Sequence, residues 1–257
     1  MRVVVHWSGG KDCTTALHKV VEQGHEVSHL ITYLYMDPYI FQSLCVMEQQ
    51  SKALGIPHLK VQVGKDRFND ILAGLNRLKK EEAIEAVVTG DIDNIHHKRA
   101  WDYACKKLNL KLIMPLWDRH FFSLLPGDRH RKRVLKIELS VGMKAIISCV
   151  NMNHISQEWL GREFNAQCVQ DMKPLVGPWG VGIDATGEPG EFHTTVLDAP
   201  LFNQSIELSK FTTKKAEVDF GGSPNRVGNF LYYDVEEAIL KPKKTVSDSR
   251  AVPKIDS

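Results

Sequence analysis

The first 117 residues alternate between short apolar runs and amphipathic segments, and this alternation restricts the fold strongly. Runs with the composition of β-strands cover residues 3–5, 27–35, 58–63, 86–89 and 111–114. Apolar residues with helical spacing lie between them, at 14–23, 42–54, 67–80 and 98–108. Strands separated by helices of this length form βαβ units. The sequence therefore predicts an α/β fold, with a parallel sheet and flanking helices.

The pattern changes after residue 117. Residues 118–133 carry a Pro-Gly-Asp turn signal and are expected to form a loop, followed by a helix at 134–139 and a strand at 145–150. Residues 174–190, with five glycines and three prolines, are expected to be mostly loop. Short β-like runs follow at 192–197, 205–208, 216–220 and 229–233. We expect a first domain over 1–117, a smaller α+β region over 118–235 and a disordered tail over 236–257.

Composition limits the classes of partner. The chain has 257 residues and a net charge of +2, which is too small to indicate nucleic acid or a membrane surface. No run of eighteen apolar residues and no signal peptide is found, and the five cysteines form no C-x-x-C pair. We therefore expect a cytoplasmic protein with free thiols. The basic run at 129–133 is expected to be a solvated loop or helix start.

A candidate phosphate site follows the first predicted strand. Its segment, SGGKDCT, comprises Ser8, Gly9, Gly10, Lys11, Asp12, Cys13 and Thr14. The glycines let the backbone approach a ligand, and the start of the next helix offers unpaired N–H groups. Lys11 adds a cation, Ser8 and Thr14 add hydroxyls, and Asp12 either holds Mg²⁺ or caps the helix. Gly90 and Asp91 end another predicted strand at the same sheet edge, so they are candidate nucleotide contacts.

The SGGKDCT segment lacks the Walker A spacing and instead resembles the PP-loop, S-G-G-x-D-S, of ATP pyrophosphatases. Cys13 stands at the second serine, and cysteine is the weaker hydrogen-bond donor. Enzymes with this loop commonly form an adenylated intermediate and release pyrophosphate. The resemblance thus implies that residues 8–14 bind ATP, with Mg²⁺ on Asp12.

Further motifs follow in a fixed order along the chain. They are TGDI at 89–92, PLW at 115–117, GMKAII at 142–147, WLGR at 159–162, GEPGEFHT at 187–194 and DAPLF at 198–202. Together they resemble the diphthine–ammonia ligase family over roughly residues 1–210. The resemblance implies an adenine-nucleotide α-hydrolase-like domain that binds ATP and Mg²⁺, and a C-terminal substrate side. It also implies adenylation of the diphthine carboxylate on elongation factor 2, followed by amide formation with ammonia.

The same resemblance implies roles for individual residues. Lys11, Asp12, Glu188 and Glu191 are the candidate catalytic groups, since the two glutamates are suited to bind ammonium or take its proton. The candidate substrate-binding residues are Glu188, Gly190, Glu191, His193 and Thr194. No glutaminase segment is recognisable, so free ammonia is the expected nitrogen donor.

The acceptor stays open at this stage. His193 stands where members linked to diphthamide usually carry glutamate, and the histidine form resembles relatives, many of them bacterial, with a suspected role in amidating a small carboxylate such as a cobalamin precursor. Two other functions are weighed: a PP-loop tRNA-modifying enzyme, disfavoured by the lack of a cysteine pair, and an ATP-binding sensor without turnover, disfavoured by the second region. Association into a homo-oligomer is also left open.

Overall fold

The computed structural model describes residues 1–35, 40–117, 128–172, 184–188, 190–219 and 227–243. The predicted loop at 118–127 and most of the glycine-rich stretch at 174–183 lie outside these residues, as does the chain beyond 243. The described residues form two sheets, one parallel and one antiparallel. Within them, no helix combines the length and apolarity that crossing a membrane would require.

The first sheet is parallel and has five strands in the order β3-β2-β1-β4-β5. The strands are β1 (Arg2–His6), β2 (Glu26–Leu34), β3 (His58–Gln62), β4 (Ala86–Val88) and β5 (Lys111–Ile113). Val3, Val4 and Val5 are fully buried, because the central strand is covered on both faces. The predicted parallel sheet is therefore confirmed.

Four helices cover this sheet. Helices α1 (Lys11–Glu22) and α2 (Leu44–Leu54) pack on the face that carries Val3 and Val5, whereas α3 (Arg67–Glu82) and α4 (Ile95–Lys107) pack on the face that carries Val4. Helix α1 starts three residues earlier than predicted. Its first turn, with Lys11 and Asp12, is polar and so lacks the apolar spacing on which the prediction depended.

The second sheet is antiparallel, in the order β7-β6-β9-β8, and confirms the predicted smaller α+β region. Its strands are β6 (Lys144–Asn151), β7 (Phe192–Asp198), β8 (Ser205–Asp219) and β9 (Val227–Lys241), accompanied by helices α5 (Asp128–Ser140) and α6 (Ala166–Met172). The prediction of a loop through residue 133 is wrong over 128–133. These residues form the first turns of α5, because arginine and lysine are good helix formers.

Strands β8 and β9 form a hairpin longer than the sequence indicated. The two separate runs predicted at 205–208 and 216–220 belong to one strand that pairs with β9 along its length. The intervening residues are mostly polar and exposed, so the backbone ladder holds them in the strand without an apolar face. Strand β9 continues to Lys241, so the prediction of a disordered tail from residue 236 is wrong over 236–241.

The two sheets meet at the loop between β1 and α1. The carbonyl of Gly9 accepts hydrogen bonds from the backbone N–H of Val196 on β7, at 3.0 Å, and from Gln50 Nε2 on α2, at 2.9 Å. Helix α2 also contributes Val46 and Ala53 to the apolar core beneath the second sheet. The loop that carries the candidate phosphate site is therefore held by both halves of the chain.

Candidate functional site

A cleft of about 260 Å³ lies at the carboxyl ends of β1 and β4, where β7 approaches them. This is the edge at which parallel α/β sheets bind ligands. The lining residues are His6, Ser8, Gly10, Lys11, Asp12, Cys13, Phe41, Gln42, Gly90, Asp91, Asn94, His97, Thr186, Gly187, Glu188, Phe192, His193 and Thr194. The cleft thus brings together most of the predicted site residues, from both halves of the chain. The predicted residues outside its lining are Gly9, Thr14, Gly190 and Glu191.

Glycines make the close contacts around the start of α1 possible. Gly9 has φ +77°, and a Cβ there would lie 2.6 Å from Gln50 Oε1. A Cβ on Gly90 would lie 2.7 Å from the carbonyl carbon of Asp12 and the nitrogen of Cys13, so only glycine lets the end of β4 touch this turn. Gly10 precedes α1 and provides no side-chain cap of its own, and the Lys11 N–H donates to Thr194 Oγ1 at 3.1 Å. The N–H groups that follow in the first turn are the ones that an anion can satisfy.

The ammonium group of Lys11 is buried between two carboxylates. It lies 2.6 Å from Asp12 Oδ1 and 3.2 Å from Glu138 Oε1, and 5.5 Å from the centre of the Phe164 ring. Burial alone lowers the pKa of Lys11, but the two carboxylates outweigh it and raise the pKa above its ordinary value. Lys11 is therefore a protonated cation at the cleft wall, held by two carboxylates, and the phosphate contact that the sequence suggested for it stays a prediction.

Glu138, on α5, is the main partner that sequence reasoning missed. Its side chain is fully buried, and burial together with the nearby charge of Asp12 raises the pKa of its carboxyl well above the usual range, while Lys11 opposes that rise. Glu138 follows the buried Val134 by four residues, which places both on one helical face. That spacing was the one available signal that this glutamate faces inward.

Polar side chains of the α1 start are partly used by the helix itself. Thr14 Oγ1 donates to the carbonyl of Gly10 at 2.8 Å, and the Cys13 thiol donates to the same carbonyl at 3.2 Å. Burial raises the pKa of Cys13, so its sulfur is a protonated thiol. The predicted phosphate contact of the Thr14 hydroxyl is therefore not available, because that hydroxyl is buried and bonded back along the helix.

Asp91 is fixed at the end of β4 by a histidine. Its Oδ1 lies 2.8 Å from His97 Nδ1. Burial would raise the pKa of Asp91, but the hydrogen bond and charge of His97 lower it overall, and the same contact raises the pKa of His97. Asp91 is therefore an ionised carboxylate held on the cleft wall. Asp91 was among the predicted site residues, whereas its partner His97 was not.

Glu188 and His193 bring the second half of the chain to the cleft. Burial, reinforced by the negative charges of Asp12 and Asp91, raises the pKa of Glu188 to about 8. Burial lowers the pKa of His193 to about 4, so its imidazole is neutral near pH 7. The His193 ring lies 4.7 Å from that of Phe41. The cleft thus holds a carboxyl that titrates near neutrality and a neutral imidazole.

Glu191 and Gly190 support this loop from behind. Glu191 is buried, and its Oε1 accepts a hydrogen bond from the backbone of Asp184 at 3.1 Å. Gly190 has φ +92° and donates to the carbonyl of Gly187 at 3.0 Å. Neither lines the cleft, and both shape the loop that presents Glu188; the substrate contacts that the sequence suggested for them stay a prediction.

Arg131 ties the same loop to the parallel sheet. Its guanidinium bonds Asp93 at 3.0 and 2.8 Å and also pairs with Asp184. The basic run of residues 129–133 is thus not wholly solvated, because this arginine bridges the segments after β4 and before Glu188. Lys132 and Arg133 are exposed.

Comparison with known proteins places the chain among relatives of one kind. Models of the diphthamide synthase N-terminal and C-terminal domains match residues 1–112 and 132–221. Proteins named diphthine–ammonia ligase are similar to it: one from Mus musculus is 24% identical over 233 residues, covering 80% of this chain and 82% of the relative. Another, from Schizosaccharomyces pombe, is 27% identical over 232 residues, covering 81% of this chain and 36% of the relative.

A solved structure from Methanocaldococcus jannaschii, described as a predicted subunit of a tRNA methyltransferase, is 16% identical and covers 78% of this chain and 98% of that one. Its TM-score of 0.37 is too low to support an argument about function. The two domain models, in contrast, cover nearly all of the parallel sheet, strands β6, β7 and β8 of the second sheet, and the lining residues of the cleft. On these matches, the chain belongs to the diphthamide synthase family.

Proposed function

We propose that this protein is an ATP-dependent ligase that adenylates a carboxylate and joins it to ammonia, releasing AMP and pyrophosphate. One observation carries the proposal: a glycine-lined helix start with an acidic residue, Asp12, lies in the same cleft as Glu188 and His193 from the second half of the chain. A phosphate-binding edge and a proton-transfer group thus border one space. The names of the relatives agree with this chemistry.

The nucleotide phosphates would lie against the start of α1. The N–H groups of the first turn of α1 that Thr194 leaves unbonded favour an anion, and Gly90 keeps the neighbouring strand end clear of side-chain atoms. Asp12, with a side chain 34% exposed, fits a Mg²⁺ ion, which at nucleotide sites takes one or two carboxylates together with phosphate oxygens. When bound, Mg²⁺ would neutralise phosphate charge.

The first half-reaction needs positioning more than acid–base chemistry. A carboxylate oxygen of the acceptor attacks the α-phosphorus of ATP, the P–O bond to pyrophosphate breaks, and an acyl-adenylate forms. The carboxylate is thereby given a good leaving group. The chain contributes the fixed geometry of residues 8–14 and the positive potential at the start of α1, which faces the phosphates.

The second half-reaction needs a base. Ammonia attacks the acyl carbon, the bond to AMP breaks, and the nitrogen loses a proton. Glu188, with a pKa of about 8, is suited to take that proton because its basic form is appreciably populated near neutrality. His193 is neutral and offers hydrogen bonds to the acceptor without adding charge.

The acceptor is a carboxylate, and two candidates are tested together. Purified protein is incubated with ATP, Mg²⁺ and ammonium, with either diphthine-bearing elongation factor 2 or a panel of small carboxylic acids such as cobalamin precursors. AMP and pyrophosphate that form only with the factor identify diphthine as the acceptor. If the same products form only with a small acid, the proposed chemistry holds and that acid is the acceptor. If no acceptor yields AMP, the proposed ligase activity is contradicted and only nucleotide binding remains as a proposal.

The nitrogen source is tested in the same assay. Replacing ammonium by glutamine is expected to abolish amide formation while pyrophosphate release in the first half-reaction persists. Activity with glutamine alone would contradict the use of free ammonia.

A further inference from the structure

A second cavity, of about 110 Å³, is lined by Glu138, the carboxylate partner of Lys11. Helix α5, the start of β6 and the start of α6 enclose it, and its walls are Glu138, Leu139, Met143, Phe164, Asn165 and Ala166. We propose that this cavity binds an ammonium ion and so supplies the nitrogen for amide formation. The catalytic part of this proposal rests on the proposed function, whereas the binding of the cation does not.

Glu138 is the observation that points to a cation. Its side chain is fully buried, Oε1 contacts Lys11 at 3.2 Å, and Oε2 has no hydrogen-bond partner in the part of the chain that the structure describes. A buried carboxylate oxygen without a donor is unfavourable. Asp12 and Glu138 share the single ammonium group of Lys11, so the Glu138 carboxyl binds either a proton, which its raised pKa reflects, or a second cation beside Oε2. An ammonium ion supplies both the donor and the charge.

The remaining lining residues determine which kind of cation the cavity would bind. The Phe164 ring already lies 5.5 Å from the Lys11 ammonium, and an aromatic face attracts weakly hydrated monovalent cations. Leu139 and Met143 add apolar surface. Mg²⁺ and Ca²⁺ require several oxygen ligands, whereas Glu138 is the single carboxylate among the described lining residues. The volume holds a few water-sized molecules and is too small for a nucleotide.

The cavity adjoins the cleft. Lys11 lines the cleft and at the same time contacts Glu138 and Phe164, which line the cavity. The linings of the two spaces therefore touch each other through Lys11. Ammonium would approach from the cavity side and lose its first proton to the Glu138 carboxylate, which yields the ammonia that attacks the acyl carbon, while nucleotide and carboxylate enter through the cleft.

The first test measures cation binding without catalysis. Crystals of the full chain are soaked in thallium(I), an ammonium surrogate that is located by its anomalous scattering. We expect a peak beside Glu138 that excess ammonium displaces and excess sodium does not, and that is lost in Glu138→Gln. Absence of the peak in the wild type, or equal displacement by sodium, would overturn the inference.

The second test separates the inference from the proposed function. Ala166 is exposed at the mouth of the cavity, so Ala166→Trp obstructs the opening without changing the core; Gln167→Trp, one residue further and outside the lining, is the matched control. ATP–pyrophosphate exchange, which needs no ammonia, is measured beside amide formation. Ala166→Trp is expected to raise the KM for ammonium in amide formation about tenfold and to leave the rate of ATP–pyrophosphate exchange unchanged. An unchanged KM for ammonium overturns the cavity assignment, whereas a wild type without exchange contradicts the ligase itself.

Discussion

The carboxylate of Glu138 lies 3.2 Å from the ammonium of Lys11, although 127 positions separate the two residues in the sequence. This contact joins α5 of the second region to α1 at the nucleotide edge of the parallel sheet. Neither partner is exposed, so the pair depends on both halves of the chain being in place.

Removing the Glu138 carboxylate should destabilise the whole protein. We expect Glu138→Ala to lower the free energy of unfolding by about 3 kcal/mol, because a buried lysine loses one of its two carboxylate partners. Chemical denaturation measures the change. Lys136→Ala, on the exposed side of the same helix, is the control and should shift stability by less than about 0.5 kcal/mol. Equal effects of the two substitutions would contradict a structural role for the pair.

Asp12 should be essential for turnover, and its loss should lower stability without preventing folding, because Asp12 is also a carboxylate partner of the buried Lys11. Asp12→Ala is expected to reduce pyrophosphate release by at least about 100-fold, because the proposed Mg²⁺ ligand at the phosphates is lost. Circular dichroism and thermal unfolding establish that the variant is folded. Glu22→Ala, an exposed carboxylate at the other end of α1, should keep wild-type activity. A folded Asp12→Ala protein with normal pyrophosphate release would refute the role given to Asp12.

Gly90 should tolerate no side chain. The Cβ of alanine would lie 2.7 Å from backbone atoms of Asp12 and Cys13, so the helix start must move. We expect Gly90→Ala to cost about 1–3 kcal/mol of stability and to weaken ATP binding measured by calorimetry. At Gly64 the added Cβ comes no closer than 3.6 Å to its nearest neighbour, Asp70 Oδ2, which makes Gly64→Ala the matched control. ATP binding that is equal in both variants would exclude Gly90 from the site.

Glu188 should set the pH dependence of amide formation. With a pKa of about 8, its basic form increases as pH rises, reaches half near that pH and predominates only above it. Using hydroxylamine, a nucleophile that stays neutral through this range, we expect the rate to rise roughly tenfold per pH unit below pH 8 and then level off. Glu188→Gln should be slow and lack this rise; a parallel rise in the variant would assign the titration to another group.

The same shift has a consequence for stability, with a definite sign. Because the folded protein holds the Glu188 proton more tightly than the unfolded chain does, this contribution is complete below pH 4.5 and is lost as pH rises through about 8. Between these values the wild type should therefore lose stability relative to Glu188→Gln. Denaturation of both proteins across the pH range measures the difference, which would have the opposite sign if the pKa of Glu188 were lowered.

The parallel sheet was predictable because its signals are local. Val3, Val4 and Val5 form a β-branched run that needs burial on both faces, and the glycines at 9 and 10 mark the turn into α1. The first turn of α1 was not predicted, since Lys11 and Asp12 carry no apolar periodicity. The full length of β8 was missed for a related reason: backbone pairing to β9, and not side-chain pattern, defines it.

Within the site, local motifs identified residue types and long-range contacts decided their roles. The sequence suggested Lys11 as a free cation, but its partner Glu138 is brought to it only by the fold. Glu191 shares a motif with Glu188, yet one is buried behind the loop and the other lines the cleft. Neither distinction is encoded in neighbouring residues, so both required the three-dimensional structure.

The paired hydrogen bonds on the Gly9 carbonyl set an order of events during synthesis. Residues 8–14 leave the ribosome early, but the N–H of Val196 that bonds Gly9 is made nearly two hundred residues later. A nascent chain with the first sheet alone therefore carries an incomplete nucleotide loop. The chain would be able to use ATP only after β7 has been translated and has docked. A prematurely terminated chain would therefore not consume nucleotide.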